Sequence, residues 1–102
     1  MAQNIAKSTS EVIGYGVLVT DEKGVIIGCN EEKRIGEFHP PSIRVMQENR
    51  PMATSTVDAE NYLNVLPGYT LPIQLFDNVL GSVSIAGLPE EVARYGLLEV
   101  QL

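Results

Sequence analysis

The sequence predicts an α+β domain in which five antiparallel strands form one sheet and the helices gather on one side of it. Short apolar runs are bounded by turn residues, such as Asp21 to Gly24 and the pair Asp77-Asn78, a pattern typical of strand hairpins. Segments at the start, middle and end of the chain instead repeat apolar residues at helical spacing. With 102 residues, 44% of them hydrophobic, the chain can form one domain with its own core.

Apolar spacing and turn residues define the predicted elements. In chain order these are a helix over 2–13, strands over 15–20 and 25–29, a polar loop over 30–38, a helix over 40–49, a strand over 52–57, a short helical turn around 59–62, strands over 69–75 and 79–86, and a helix that opens at 87–91. Gly24 is free to take positive φ in the first hairpin turn. Pro40 and Pro41 fit only the first turn of their helix. Pro72 cannot donate to a β-ladder, so it predicts an edge or a bulge.

Charge and composition exclude several classes of protein. A formal net charge of −6 and a pI near 4.6 argue against binding nucleic acid through the charge of this chain. No apolar run approaches the roughly 18–20 residues that a membrane helix needs, and the start of the chain lacks the pattern of a signal peptide. The single cysteine, Cys29, excludes an internal disulfide framework and fits a reducing compartment. We therefore expect a cytoplasmic protein.

Cys29 itself has two interpretations. Free cysteine is among the most buried residue types, which favours a small hydrophobe at the end of a strand. A reactive thiol would need a cationic neighbour. Lys33 and Arg34 are close to it in sequence, which supports that alternative only weakly.

The residues that catalysis or cofactor binding would need are missing from the sequence. One histidine and one cysteine, without a nearby carboxylate cluster, make no zinc site, and Asp21 and Glu22 lack calcium-loop spacing. There is no G-x-S-x-G elbow, and Ser82 and Ser84 lie in an apolar strand without an evident base. No phosphate-binding glycine loop is present. We expect no metal, no cofactor and no enzymatic activity.

One short run suggests a binding site. Arg34 and His39, the only histidine, lie just before the helix that opens at the double proline. A helix N-terminus attracts anions, and the arginine fork fits a carboxylate. Gly36 would let a ligand approach the backbone closely. Glu37 could hold Arg34 in position, or neutralise it and close the site without a ligand. Taken singly, Arg34 could equally be a solvated charge, and His39 a cap or a packing residue.

Two further expectations concern the same region. If His39 helps to hold a carboxylate, its protonated form should bind better, so affinity should fall between mildly acidic and mildly alkaline conditions. In the last strand, Ser82, Ser84 and Ala86 alternate with larger residues and line one face with small side chains. That face either leaves room for a ligand or packs closely against a helix, and both alternatives stay open.

The strand order resembles the PAS and Cache sensor folds: two strands, a helical middle, then three strands. Five sequence motifs are more specific than this strand order. They are Met-Ala-Gln-Asn-Ile-Ala at 1–6, Gly-Val-Ile-Ile-Gly at 24–28, Arg-Ile-Gly-Glu-Phe-His at 34–39, Pro-Gly-Tyr-Thr-Leu-Pro-Ile at 67–73, and Ile-Ala-Gly-Leu-Pro-Glu-Glu-Val at 85–92. Together they resemble, nearly end to end, the sugar-diacid recognition domain at the N-terminus of carbohydrate diacid transcriptional regulators.

This resemblance implies a cytoplasmic sensor for a small carboxylic sugar acid, such as glycerate or glucarate, joined to a helix-turn-helix DNA-binding region that lies outside this chain. The ligand contacts that it implies are Arg34, Gly36, Glu37, His39, Gly68, Thr70 and Leu71. The sequence departs from the family pattern where Thr70 replaces the usual Asn and Ala86 the usual Thr. These departures imply a smaller or less hydroxylated acid, or a ligand that has been lost.

The leading interpretation is thus a ligand-binding sensor domain over residues 1–102, truncated in its C-terminal helix. The alternatives are a dimerisation or linker domain of such a regulator without a ligand and, remotely, a small enzyme. An apolar stripe predicts that the last helix pairs with a partner, and its members are Leu88, Val92, Tyr95, Leu98 and Leu102. We expect a homodimer through the terminal helices, those around Ile5 and Val12 included, and no membrane partner.

Overall fold

The computed structural model describes residues 1–62 and 65–92. The elements in chain order are α1 (Ala2–Ile13), β1 (Gly16–Thr20), β2 (Ile26–Cys29), a 3₁₀ turn (Glu32–Arg34), α2 (Pro40–Glu48), β3 (Met52–Thr54), α3 (Thr56–Ala59), β4 (Gly68–Leu75) and β5 (Asn78–Ala86). The five strands form one antiparallel sheet in the order β2-β1-β5-β4-β3. The predicted fold class is therefore confirmed, with β5 as the central strand.

The helices lie on both faces of the sheet, so the prediction that they gather on one side is wrong. Directly paired residues share a face, and successive residues alternate. In β5, Val83 points towards α1, where it packs with Ala6. Its neighbour Ser82 points the other way and donates a hydrogen bond to Ser42 of α2. The alternation of branched apolar and small polar residues in β5 thus places one helix on each face.

Helix α1 approaches the sheet unusually closely at Gly28. A Cβ at this position would lie 2.5 Å from the carbonyl oxygen of Ala2. The Cys29 N–H donates to Gln3 Oε1 at 2.7 Å, which fixes the first turn of the helix over β2. The helix ends at Gly14, whose φ of 78° is favourable for glycine and closes a bond from its N–H to Ser10 O.

The core has a cluster on each face of the sheet. On the α1 side the buried members are Ala6, Val17, Leu71 and Val83, with Ile13, Val19 and Tyr69 packed against them. On the other side Leu18, Ile26 and Cys29 form a smaller cluster. Cys29 is 1% exposed, which confirms the interpretation of a buried hydrophobe.

Two predicted elements differ from the structure by three residues, whereas the other strands and α2 differ by one residue at an end. The third strand ends at Thr54 instead of continuing to 57, because Ser55 caps a short helix by accepting a hydrogen bond from the Asp58 N–H at 3.0 Å. The helical turn expected at 59–62 accordingly begins earlier, at Thr56.

The last hairpin turn lies one residue earlier than predicted. Leu75 pairs with Asn78, so the two turn residues are Phe76 and Asp77. Phe76 takes a φ of 57°, which sequence preferences would assign to Asn or Gly. Pro72 lies where β4 has no neighbour on the β3 side and beside a register shift, as its missing N–H predicted.

The last predicted helix is described only in part. Residues 89–92 are helical, and Val92 is fully buried. Leu88, expected to belong to the core stripe, is 46% exposed. Tyr95, Leu98 and Leu102 lie outside the described residues. In the part that is described, no helix is long and apolar enough to cross a membrane.

The contact between α1 and β2 can be tested at Gly28. We expect Gly28→Ala to lower the free energy of unfolding by about 1–3 kcal/mol, the range of overpacking, because the new methyl group would overlap the Ala2 carbonyl. Chemical denaturation measures it. Gly14→Asn is the control, because no atom lies within 4 Å of a Cβ there and Asn tolerates positive φ. Equal stability of wild type and Gly28→Ala would contradict this packing.

Candidate ligand-binding cavity

The Arg34–His39 run is held along the outer edge of β2 by backbone hydrogen bonds. Gly36 N–H donates to Ile26 O at 2.8 Å, Ile26 N–H to Glu37 O at 2.9 Å, and His39 N–H to Gly24 O at 2.9 Å. Gly36 has a φ of 96°, so it reverses the chain after the 3₁₀ turn. Its observed role is this turn, which brings Arg34 and His39 to the same side of the sheet.

The N-terminus of α2 has few N–H groups for an anion. Pro40 and Pro41 occupy its first two positions and carry no N–H, while Ser42 N–H donates to His39 O at 3.0 Å. The expectation that this helix end attracts an anion through free N–H groups is therefore wrong. An acid at this site would therefore depend on side chains more than on helix N–H groups.

A cavity opens on the face of the sheet that also carries α2. Its empty volume is about 450 Å³, part of which is open to solvent. It is lined by Gly16, Val17, Leu18, Cys29, Asn30, Glu31, Arg34, His39, Thr54, Leu66, Gly68, Thr70, Ser84, Ile85 and Ala86. Gly16, Ala86 and Gly68 lie side by side across three strands. This row of small residues provides the space above the sheet.

Both interpretations of the small face of β5 hold, at different positions. Ser82 is completely buried and hydrogen-bonds to Ser42 at 2.7 Å, so this end packs closely against α2. Ser84 and Ala86, further along the same face, line the cavity. One end of this strand face thus packs against a helix, and the other end lines an open cavity.

Arg34 supplies positive charge to the cavity wall. Its side chain is 12% exposed, and its Nε lies 3.6 Å from Glu37 Oε1. Among the described residues Glu37 Oε1 is buried without a hydrogen-bond partner, so this contact is electrostatic. Glu37 lines an adjoining depression together with Arg34, Lys33 and Leu66. It balances part of the arginine charge from the side while the guanidinium still lines the cavity.

His39 is a neutral side chain in this environment. The residue is 4% exposed, and its Nδ1 lies 2.6 Å from Ser42 Oγ. Burial, and to a lesser degree the nearby Arg34 charge, lowers the pKa of the imidazole from 6.5 to about 4. In the ligand-free protein the ring is therefore unprotonated even in mildly acidic solution. That a protonated His39 binds a carboxylate better concerns the ligand-bound protein and stays a prediction, while the ring of the ligand-free protein is neutral.

Hydroxyl and amide groups complete the polar wall. The Thr70 and Ser84 hydroxyls form a short hydrogen bond between β4 and β5. Asn30 accepts a hydrogen bond from Val17 N–H at 2.9 Å through its side-chain oxygen. The sequence indicated Ser84 only through the small face of its strand. It contained no signal for Asn30, which follows β2 and bonds to β1, or for Thr54, which reaches the cavity through its pairing with Gly68 of β4.

The structure brings four of the seven expected contact residues together at the cavity: Arg34, His39, Gly68 and Thr70. Glu37 lines the adjoining depression, and Gly36 makes the turn. The Leu71 side chain is 1% exposed and lies on the opposite face, in the core beneath α1. Within the described residues no group of three or more His, Cys, Asp or Glu could hold a metal ion.

A sheet of this order, with a polar cavity on one face, has the fold of GAF and PAS/Cache-like sensor domains. The GAF domain of an Acinetobacter phosphoenolpyruvate-protein phosphotransferase superposes with a TM-score of 0.69 at 10% identity, covering 97% of this chain and 74% of that one. The sensor domain of Escherichia coli DcuS superposes with a TM-score of 0.63 at 19% identity, covering 94% and 71%. At these identities the likeness concerns the fold alone.

Sequence comparison gives the family. The family model described as "Putative sugar diacid recognition" matches residues 1–101. The carbohydrate diacid regulator of Escherichia coli K12 is 33% identical over 98 residues, which cover 96% of this chain and 26% of that protein. An uncharacterized protein of Haemophilus influenzae is 31% identical over 98 residues, covering 95% and 27%. The chain belongs to the sugar diacid recognition family, and it spans about a quarter of the length of these relatives.

The low pKa of His39 predicts how stability depends on pH. The ring binds a proton near pH 6.5 when unfolded and near 4 when folded, so the unfolded state binds more protons in between. Stability is then complete above about pH 6.5 and falls as pH decreases towards 4. Between pH 7 and 5 we expect wild type to lose about 2 kcal/mol more free energy of unfolding than His39→Gln. Denaturation curves at both pH values measure the difference, and equal losses would contradict a buried neutral ring.

Proposed function

We propose that this chain is the ligand-binding sensor domain of a transcriptional regulator, and that its cavity takes a small carboxylic sugar acid of the glycerate or glucarate type. The observation that carries the proposal is the convergence of Arg34 with His39, Thr70 and Ser84 in one cavity. A guanidinium pairs with a carboxylate, and hydroxyl and imidazole groups hydrogen-bond to sugar hydroxyls. Membership of the sugar diacid recognition family supports the same ligand class.

The two departures from the family pattern bear on ligand size. Thr70 and Ala86 both belong to the face that carries the cavity, so the missing amide and hydroxyl would be missing from its wall. Fewer polar groups on the wall favour an acid with fewer hydroxyls, which makes a short acid of the glycerate type the first choice.

The remainder of the proposal concerns the whole protein. We infer a cytoplasmic regulator that contacts DNA through a domain outside this chain and that has no enzymatic activity. The carbohydrate diacid regulator of Escherichia coli supports this assignment through its name and its greater length. The alternative, a dimerisation or linker domain without a ligand, is favoured by the exposed apolar residues of α1, where Ile5 and Val12 are 49% and 84% exposed.

Ligand binding can be tested by thermal shift with glycerate and glucarate. A ligand that binds only the folded state stabilises it by about 2.7 kcal/mol at a hundredfold excess over Kd, which is roughly 10 °C or more in Tm for a domain of this size. We expect Arg34→Ala to abolish this shift, because it removes the guanidinium from the cavity wall while the core is left intact.

Arg44→Ala is the matched control, because Arg44 pairs with Glu48 on the surface of α2 and should keep the full shift. Equal stabilisation of wild type and Arg34→Ala would rule out the proposed site. Stabilisation of wild type by neither acid would favour the linker interpretation.

The homodimer can be tested on the outer side of α1. Ile5 and Val12 are seven residues apart, so they lie on the same side of the helix. We propose that they pair with a second copy, and we expect Val12→Glu to shift a dimer to monomer in sedimentation at tens of micromolar. Lys7→Glu introduces the same side chain at an exposed polar position and should leave the dimer unchanged. A wild-type monomer, both as this chain and as a longer form through the next domain, would exclude this mode of association.

A further inference from the structure

A continuous chain of buried hydroxyl groups connects the cavity to the interior of the sheet. His39 Nδ1 lies 2.6 Å from Ser42 Oγ, which lies 2.7 Å from Ser82 Oγ, which lies 2.6 Å from Thr20 Oγ1. Each of these four residues is at least 96% buried, so water cannot substitute for a missing partner. The role of each hydroxyl as donor or acceptor therefore has to be consistent along the chain.

Counting hydrogens gives the direction of the chain. Ser82 donates to Ser42, which uses its only hydroxyl hydrogen. Ser82 must then accept at its contact with Thr20, so Thr20 directs its single hydroxyl hydrogen to Ser82 Oγ at 2.6 Å rather than to Asp21 O at 3.1 Å, a carbonyl that also accepts from Gly24 N–H. Each hydroxyl group thus donates its hydrogen bond in the direction from the sheet towards α2.

The next hydrogen bond in the same direction runs from Ser42 to the imidazole of His39. Ser42 accepts from Ser82, so its own hydrogen needs another acceptor. Among the described side chains that Ser42 contacts, His39 Nδ1 is the remaining acceptor. Nδ1 consequently carries a lone pair, and the proton of the neutral ring resides on Nε2.

The Nε2 atom is the part of the ring left for the cavity. His39 lines the cavity, and within residues 1–62 and 65–92 its Nε2 has no hydrogen-bond partner. A polar N–H on a residue only 4% exposed, without a protein partner, is a donor available to a ligand.

We propose that the Thr20–Ser82–Ser42 chain holds His39 in the Nε2–H tautomer, so that the cavity presents a neutral hydrogen-bond donor beside Arg34 and selects ligands with an acceptor oxygen at that point. The three hydroxyl residues are positioning residues, which act on the ligand only through His39. This inference deepens the proposed binding function and rests on it for its ligand, but the tautomer itself is a property of the ligand-free protein.

The Nε2–H donor of His39 determines which ligand groups the cavity accepts at that point. A carboxylate or hydroxyl oxygen at Nε2 accepts the hydrogen bond, whereas an ammonium group there would place donor against donor beside the Arg34 charge. The cavity should therefore distinguish a hydroxy acid from an amino acid of the same shape. A site with buried polar groups discriminates strongly in this way, because the wrong ligand leaves them unpaired.

Nitrogen NMR of the ligand-free chain tests the proposal directly. The sequence has a single histidine, so ¹⁵N labelling of histidine reports on His39 alone. At pH 7 we expect Nε2 at the shift of a protonated ring nitrogen and Nδ1 at that of an unprotonated, hydrogen-bonded one. In Ser82→Ala, Ser42 loses its donor and can accept from an Nδ1–H, so the two shifts should move towards each other as the tautomers mix.

Ser55→Ala is the matched control, because Ser55 caps α3 on the surface and should change stability without changing the His39 shifts. A wild-type ring protonated on Nδ1, or shifts in Ser82→Ala that equal those of wild type, would overturn the proposal. Because no ligand is present, these outcomes are independent of the thermal-shift screen, whose failure would instead count against the binding function.

Discussion

The structure depends on the two different faces of its central strand. β5 pairs with β1 on one side and β4 on the other, so its side chains lie at the middle of the molecule on both faces of the sheet. Val83 contributes to the apolar cluster beneath α1, and burial of such clusters is the main favourable term in folding. Ser82 and Ser84 face the other way, where hydrophobic burial cannot satisfy a hydroxyl. Ser82 has its partners in Ser42 of α2 and Thr20 of β1, and Ser84 has its partner in Thr70 of β4, which also lines the cavity.

The cavity combines space with a limited charge. Space comes from the small residues Gly16, Ala86 and Gly68, which lie in one cross-strand row. The charge comes from Arg34, part of whose field is balanced by Glu37, while His39 stays neutral because it is buried near that arginine. The proposed ligand fits this combination, because its carboxylate would pair with Arg34 and its remaining groups would be oriented by hydrogen bonds, since neutral polar groups contribute direction more than attraction.

The sequence relatives identify the family of this chain, whereas the distant structures share only its fold. The GAF and DcuS domains share the architecture at low identity, which is expected because one fold can carry many unrelated sites. Family membership, which extends over residues 1–101, narrows the proposed ligand class. Under the proposed function, the departures at Thr70 and Ala86 that the resemblance implies restrict the ligand to a smaller acid, since both residues line the cavity. The ligand proposed for this chain is therefore a shorter acid than the family name alone would suggest.

The sequence by itself determined the features that depend on neighbouring residues. The helix over 2–13, the start of α2 at the double proline and the irregularity at Pro72 follow from local backbone preferences and were predicted. The tertiary structure alone decided the features that depend on distant pairing. Ser55 turned an expected strand into a helix cap, and Leu71, assigned to the site by its place in a motif, points into the core because side chains alternate along a strand. The protonation of His39 depends on burial and on Arg34, and its tautomer on hydroxyls brought from β1 and β5. Local conformation is set by residues next to one another in the chain, whereas charge state, cavity shape and hydrogen-bond direction are set by groups that become neighbours only when the sheet has formed.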